Sequence, residues 1–361
     1  MARDEGTRRF DEGSITKNER AMKYIALQLA SIVIIAGVLP GCSRYAGKFD
    51  DPPRRFAFRE VWGYLMKGEE KEITGREPFT DVLYFGVRVN RSGRISGSGC
   101  PPRLSFSGDR PRVHLVVYRL TGPDVLHSCL GGGRQARELL IGDIAACAEK
   151  FDGIQVDFES LRPEDGPAYL DFLAELKPRL SGRMLSVAVP PRLIKPENDA
   201  YDYGALSAIA DRVVVMAYDQ HWETSAPGAI ASLSWCGSVA AYAADYIPPE
   251  KLVMGLPLYG RAWQERKVNR AVNYRTAREL MKRRGARKTG SADAGPAFEY
   301  VERVMVRVYF EDMDSLRAKL RLYRRRGVSS VAFWRIGQGP PELWDAITSG
   351  GGGLSRLREN K

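Results

Sequence analysis

The sequence predicts an α/β fold, a parallel (β/α)8 TIM barrel, from three observations. Eight short apolar runs recur at 61–66, 81–87, 112–118, 151–158, 184–190, 212–218, 251–259 and 330–336. Each is rich in Val, Leu, Ile or aromatic residues and bounded by Gly, Pro or charge, as buried strands are. Several are followed by apolar residues at helical spacing, and strands alternating with helices imply a parallel sheet. The 361 residues, 44% hydrophobic and 27% charged, suffice for one such unit.

Taken in order, residues 1–21 carry five basic and five acidic groups, unlike the start of a targeting signal, so translation is expected to begin at Met22. Residues 22–43, "MKYIALQLASIVIIAGVLPGCS", place one lysine before an apolar run, the layout of a secretory signal. The end at Gly41-Cys42 resembles a bacterial lipoprotein signal. That resemblance implies lipidation of Cys42 and an exported protein anchored to a membrane, in the periplasm or at the cell surface. A plain membrane anchor is the other reading, because the run is nearly long enough to span a bilayer.

Residues 43–55 read as a tether and 56–349 as the barrel. The links after the first two strands look short of helix. Ala136, Leu140, Ile144 and Cys147 predict a helix over 134–149, and Leu173, Leu176 and Leu180 beside Phe172 predict one over 167–180. Helical patterns also fit 239–247, 314–326 and 341–348. Residues 264–308, between strands seven and eight, are too many for a plain loop. Their "YRTARELMKRRGARK" and "FEYVERVMVRVYF" predict a small helix-and-strand insertion. The tail, 350–361, is expected to be disordered.

The formal charge of +11 fits either an arginine-rich surface facing water or an anionic partner. No zinc-finger spacing or RNA-binding signature accompanies it, so nucleic acid is not expected. Besides Cys42, four cysteines (Cys100, Cys129, Cys147, Cys236) allow three pairings, and Cys147 equally fits a buried free thiol. His114, His127 and His221 are scattered, so neither a metal site nor a cofactor is expected. A monomer is expected.

The chemistry gathers at strand ends. In "FDGIQVDFES", residues 151–160, strand geometry puts Gln155, Asp157 and Glu159 on one face and Ile154, Val156 and Phe158 on the other. Buried carboxylates are costly unless paired or used. Strand six ends "MAYDQHW", giving Met216, Tyr218, Asp219 and Trp222. Strand seven runs "GLPLYGRAW", giving Tyr259, Arg261 and Trp263, and strand eight brings Trp334. Trp62 and Trp344 read as packing residues, while Tyr64 fits packing or the site equally. Aromatics and carboxylates around one barrel mouth describe a sugar site, since pyranose faces stack on rings and hydroxyls bond to acids.

"DGIQVDFE", "MAYD", "GLPLYGRAW" and the final tryptophan strand, in this order, resemble glycoside hydrolase family 18. The likeness covers roughly 60–349 and is nearest in pattern to bacterial peptidoglycan and spore-cortex glucosaminidases. It implies a retaining, substrate-assisted hydrolase of β-linked N-acetylglucosamine glycans, of peptidoglycan or chitin type. It implies Glu159 as the acid, Asp157 as the carboxylate that holds the acetamido group, and Tyr218 as its positioner. Trp334 would floor the sugar subsite, lined by Gln155, Met216, Asp219, Trp222, Tyr259, Arg261 and Tyr64.

Two departures stand out. Gln155 occupies the place of the family's middle aspartate, where an amide can donate a hydrogen bond to Asp157 but cannot take its charge. Strand three ends "VVYRL" where many chitinases carry Ser-x-Gly-Gly. The alternative reading is a non-catalytic glycan-binding lipoprotein on the same barrel, against which the retained Glu159 argues.

Overall fold

The computed structural model describes residues 55–265, 272–291 and 295–350. The expected signal segment with Cys42, nearly all of the tether, the tail after Gly350 and two short parts of the insertion lie outside the described residues.

Eight parallel strands close into a barrel. In chain order they are β2 (Glu60–Met66), β3 (Asp81–Val89), β5 (Arg112–Arg119), β6 (Gly153–Phe158), β7 (Met184–Val189), β8 (Arg212–Val215), β9 (Leu252–Pro257) and β14 (Ser330–Trp334). Each pairs with the next, and closure comes from β14 beside β2, with Val331 opposite Val61. All eight runs expected from the sequence are these strands. A short strand pair, β1 (Phe56–Phe58) with β15 (Ile347–Ser349), lies outside the barrel.

The first two links carry no α-helix, as expected. One holds a single 3-10 turn, Glu70–Glu72, and the other the antiparallel strand β4 (Ile95–Gly97). Helices α1 (Pro123–Leu130) and α2 (Arg134–Ala148) follow β5, and α3 (Gly166–Arg179) follows β6. Helix α4 (Tyr203–Ile209) follows β7, α5 (Leu233–Tyr246) follows β8, and α7 (Met313–Arg325) precedes β14. Helices α1 and α4, at 8 and 7 residues, are too short to show a period, which is why the sequence did not predict them. The helix expected over 341–348 is instead a 3-10 turn, Pro341–Ala346, running into β15. Its first residue follows Pro340 and is itself proline, so the turn opens with no backbone donor at that position.

The alternation in β6 sorts its residues as the pattern requires. Ile154, Val156 and Phe158 are fully buried in the shell between barrel and helices, where Phe158 packs 5.8 Å from Phe172 and 6.0 Å from Tyr169 of α3. Burying each such side chain contributes roughly 1.5–3 kcal/mol. A second apolar cluster, built on Trp62, Tyr64, Leu83, Phe85 and Val116, fills the barrel interior. Trp344 packs between Phe79 and Phe333, a core role as expected.

Beneath that interior cluster, the N-terminal strand ends carry charge. Asp81 accepts from Arg112 Nε at 2.8 Å and Nη2 at 2.9 Å and lies 2.8 Å from His114 Nε2. Glu60 accepts from Arg212 Nη2 at 2.5 Å and Nε at 2.9 Å. Burial pushes the Asp81 carboxyl up, but His114 and Arg112 outweigh it and hold it below the usual range. These pairs close the barrel floor and leave the opposite mouth for chemistry.

The insertion leaves the barrel after β9. Strand β10 (Arg261–Gln264) pairs antiparallel with β13 (Val306–Tyr309), and α6 (Tyr274–Arg284) lies between them in sequence with a hairpin of β11 (Thr289–Ser291) and β12 (Gly295–Ala297). Asn273 caps α6 by accepting from Thr276 N, and Gly285, at φ 61°, ends it in the left-handed region. Cys100, Cys129, Cys147 and Cys236 are all free thiols.

Candidate active site

The C-terminal ends of β2, β6, β8, β9 and β14 enclose a cavity of about 610 Å³. That is within the range of small-ligand sites. Tyr64, Asp157, Glu159, Met216, Tyr218, Asp219, Tyr259, Arg261 and Trp334 all line it. These residues span 270 positions of sequence, and barrel closure brings them to one wall-to-wall site.

Glu159 is placed by the ladder continuing past β6, since its N–H donates to Arg119 O at 3.0 Å. Tyr201 braces the same exit: its hydroxyl donates to Phe158 O at 2.7 Å and accepts from Leu161 N at 3.1 Å. No sequence pattern pointed to Tyr201, because a hydrogen bond across 43 residues has no local signature.

Desolvation and neighbouring carboxylates raise the cost of ionising both carboxyls. Burial, then the charge of Glu159, pushes Asp157 well above the usual carboxylate range. Burial, then the charge of Asp219, pushes Glu159 up to about 7. The site therefore holds a protonated carboxyl at neutral pH, which is what a general acid needs. Asp157 Oδ1 and the Tyr64 hydroxyl are buried without a hydrogen-bond partner in the protein.

Gln155 lies beneath the lining, fully buried. Its Nε2 donates to Ser186 Oγ at 3.4 Å, and its Oε1 has no protein partner. No hydrogen bond joins this amide to Asp157, although the sequence suggested one. Gln155 supports the site and does not line the cavity.

Tyr218 is buried at the exit of β8, and burial pushes its phenol well above 10, so it stays a donor. Glycine at 255 makes room for it, because a Cβ there would sit 3.0 Å from Tyr218 Cε1 and 2.8 Å from Val215 O. Asp219, at φ 56°, adopts the left-handed conformation that Asp tolerates better than most residues. From there it accepts from Tyr259 Oη at 2.5 Å and Arg261 Nη2 at 2.8 Å. Arg261 also lies 5.5 Å from the centre of the Tyr259 ring. Trp334 meets Phe85 at 5.0 Å and Tyr64 at 5.3 Å in T-shaped contacts and lines the cavity.

Trp222 is not brought to this lining: it is 53% exposed, with Nε1 bonded to Thr224 Oγ1 at 2.8 Å. Trp263 is 9% exposed and packs against Tyr309 of the insertion. Leu120, Pro190, Pro191, Gly260, Arg335 and Gln338 line the cavity without having been foreseen. All come from strand-exit loops, where periodicity carries no information. Arg335 ion-pairs with Glu69, and Gln338, with its amide oxygen turned toward Arg335, accepts from Nη2 at 3.0 Å and Nε at 3.2 Å. Among the described residues no group of His, Cys, Asp or Glu is arranged to hold a metal ion.

The family profile described as glycosyl hydrolases family 18 matches residues 133–339. The cortical fragment-lytic enzyme of Bacillus anthracis is 34% identical over 289 residues, covering 74% of this chain and 67% of that enzyme. The class V chitinase CHIT5a of Medicago truncatula is 25% identical over 299 residues, covering 72% of this chain and 77% of the chitinase. The crystal structure of the Bacillus cereus spore cortex-lytic enzyme SleL superposes with a TM-score of 0.62 at 26% identity, over 82% of this chain and 76% of that one. The matched span runs from the helix before the β6 carboxylates to the loop after Trp334, and on that ground the chain belongs to family 18 of the glycosyl hydrolases, as a glycosidase related to cortex-lytic enzymes and chitinases.

Proposed function

We propose that the enzyme hydrolyses β-linked N-acetylglucosamine glycans with retention, using the substrate's own 2-acetamido group as nucleophile. The observation that carries this is Glu159, raised to about 7, beside a buried Asp157 in one aromatic-floored cavity. Glu159 gives its proton to the leaving glycosidic oxygen while the acetamido carbonyl oxygen attacks C1, forming an oxazolinium ion. In its ionised form Asp157 accepts from the acetamido N–H and offsets the positive charge that develops there. Tyr218 donates to the acetamido oxygen and keeps it in line, a positioning contribution. Water then opens the ring, with Glu159 taking the proton, and configuration at C1 is retained.

Peptidoglycan or its fragments is the substrate proposed, acted on in the cell envelope by a monomer anchored through Cys42. Cortex-lytic relatives support the glycan, and the Gly-Cys box supports the location. Wild type on matched glucosides and N-acetylglucosaminides tests the mechanism; equal rates on both would sink substrate assistance. Digestion of purified peptidoglycan with mass spectrometry of the new reducing ends tests the substrate. Binding without any turnover would leave a glycan-binding lipoprotein. For the anchor, Cys42→Ser should abolish incorporation of labelled fatty acid, and absence of incorporated fatty acid in the wild type would exclude lipidation there.

A further inference from the structure

Sixteen large apolar side chains are exposed among the described residues, and nine of them fall between Val272 and Phe310. Tyr274 is 80% exposed, Val301 90%, Met305 57%, Val308 59% and Phe310 68%. Strand β13 is exposed along its whole length and pairs only with β10, so its other edge has no strand partner among the described residues. Beside this apolar segment stands the basic part of the insertion. Seven of the fifteen residues 274–288 are Lys or Arg, against the single Glu279, and all seven are exposed. The two parts meet where Arg284 Nη2 binds Glu302 Oε1 at 2.9 Å and its guanidinium lies 5.1 Å from the centre of the Tyr300 ring.

A surface that is both apolar and basic selects its partner by chemistry. An anionic polysaccharide would satisfy the arginines but leave Val301 and Met305 in water. A second copy of the chain would bring the same positive charge against α6 and be repelled. An anionic lipid leaflet satisfies both parts, taking apolar side chains below the headgroups and Lys and Arg among the phosphates.

We propose that the insertion is a peripheral docking surface for an anionic lipid leaflet, made by α6 together with the exposed segment 301–310. Its position gives the contact a consequence for catalysis. A Cβ on Gly260 would lie 2.6 Å from Phe310 Cβ, and Gly260 and Arg261 themselves line the catalytic cavity. Docking through this face therefore holds the cavity mouth beside the leaflet, within reach of glycan strands near the membrane. The inference rests neither on the hydrolytic reading nor on lipidation of Cys42.

Hydrogen exchange followed by mass spectrometry on the full chain tests it, with vesicles of phosphatidylcholine alone and vesicles containing about one third phosphatidylglycerol. The amino-terminal segment is common to both, so the readout is local: amides of 274–284 and 301–310 should exchange severalfold more slowly on the anionic vesicles. Molar salt should reverse this, because exposed charges are screened. Val301→Ser with Met305→Ser, and separately Lys282→Gln with Arg283→Gln, should each reduce the protection while exchange in the barrel strands stays as in wild type. Equal exchange on both kinds of vesicle overturns the proposal. So does protection that needs no vesicles and grows with protein concentration, which would assign the face to a second copy. Protection by purified sacculi but not by vesicles would assign it to a polymer and equally overturn it.

Discussion

At the scale of single residues, the decisive feature is Glu159, whose carboxyl is pushed up to about 7 by desolvation at the site and by the charge of Asp219. Glu159→Gln keeps the shape but has no proton to give. It should lower kcat by three or more orders of magnitude with sugar affinity nearly unchanged, as measured by steady-state kinetics and calorimetric titration of an oligosaccharide. In the wild type kcat/KM should fall as pH rises through about 7, where Glu159 loses its proton. Stability follows the same group. Its folded-state pKa lies above that of an exposed carboxyl, so its contribution is fully present below about pH 4.5 and is lost as pH rises through about 7. Glu159→Gln should therefore raise the unfolding free energy at pH 8 and change little at pH 4; the side chain is solvent-exposed at the cavity mouth, so screening keeps the gain well below the full shift. Equal effects at both pH values in urea titrations would contradict the shift. Gln155 acts one layer below. Gln155→Asp adds a second titrating carboxyl beneath Asp157, so the pH–rate profile should move its limbs while activity persists. An unchanged profile would show that position 155 is uncoupled from Asp157 and Glu159.

At the scale of elements, strand exits set the geometry. Tyr201, at the start of the α4 region, ties the end of β6 through Phe158 O and Leu161 N, and so fixes the backbone on which Glu159 is mounted. Tyr201→Phe removes both bonds and leaves two backbone groups to find other partners. It should cost about 1–3 kcal/mol of stability and, because a misplaced acid is a poor one, lower kcat more than it raises KM. Gly255 plays the corresponding part under Tyr218. Gly255→Ala puts a methyl against Val215 O and the Tyr218 ring, and should lower kcat roughly tenfold or more in a protein whose circular dichroism remains that of wild type. Loss of stability in proportion to activity would mark Gly255 as a packing position only.

At the scale of the molecule, the two ends of the barrel divide the work: ion pairs close the floor, and carboxyls with aromatics line the mouth. Asp81→Asn breaks the floor network and leaves Arg112 and His114 facing a neutral amide. It should cost about 3–5 kcal/mol in chemical denaturation while leaving kcat nearly unchanged in the folded fraction.

What the sequence determined by itself was whatever has a period or a motif. The eight apolar runs, the alternation of Gln155, Asp157 and Glu159 against Ile154, Val156 and Phe158, and the order of the later motifs were legible because strand geometry repeats every two residues. Nine expected lining residues meet in one cavity for that reason. Short α1 and α4 were not legible, and neither were the rim residues Pro190, Arg335 and Gln338, since exit loops obey no period. Only the tertiary structure decided that Trp222 stands away from the lining and that the Gln155 amide turns to Ser186. It also decided that the Glu159 carboxyl is pushed up to about 7, because that shift comes from desolvation at the site and from charges such as Asp219, sixty residues away, which barrel closure alone brings near.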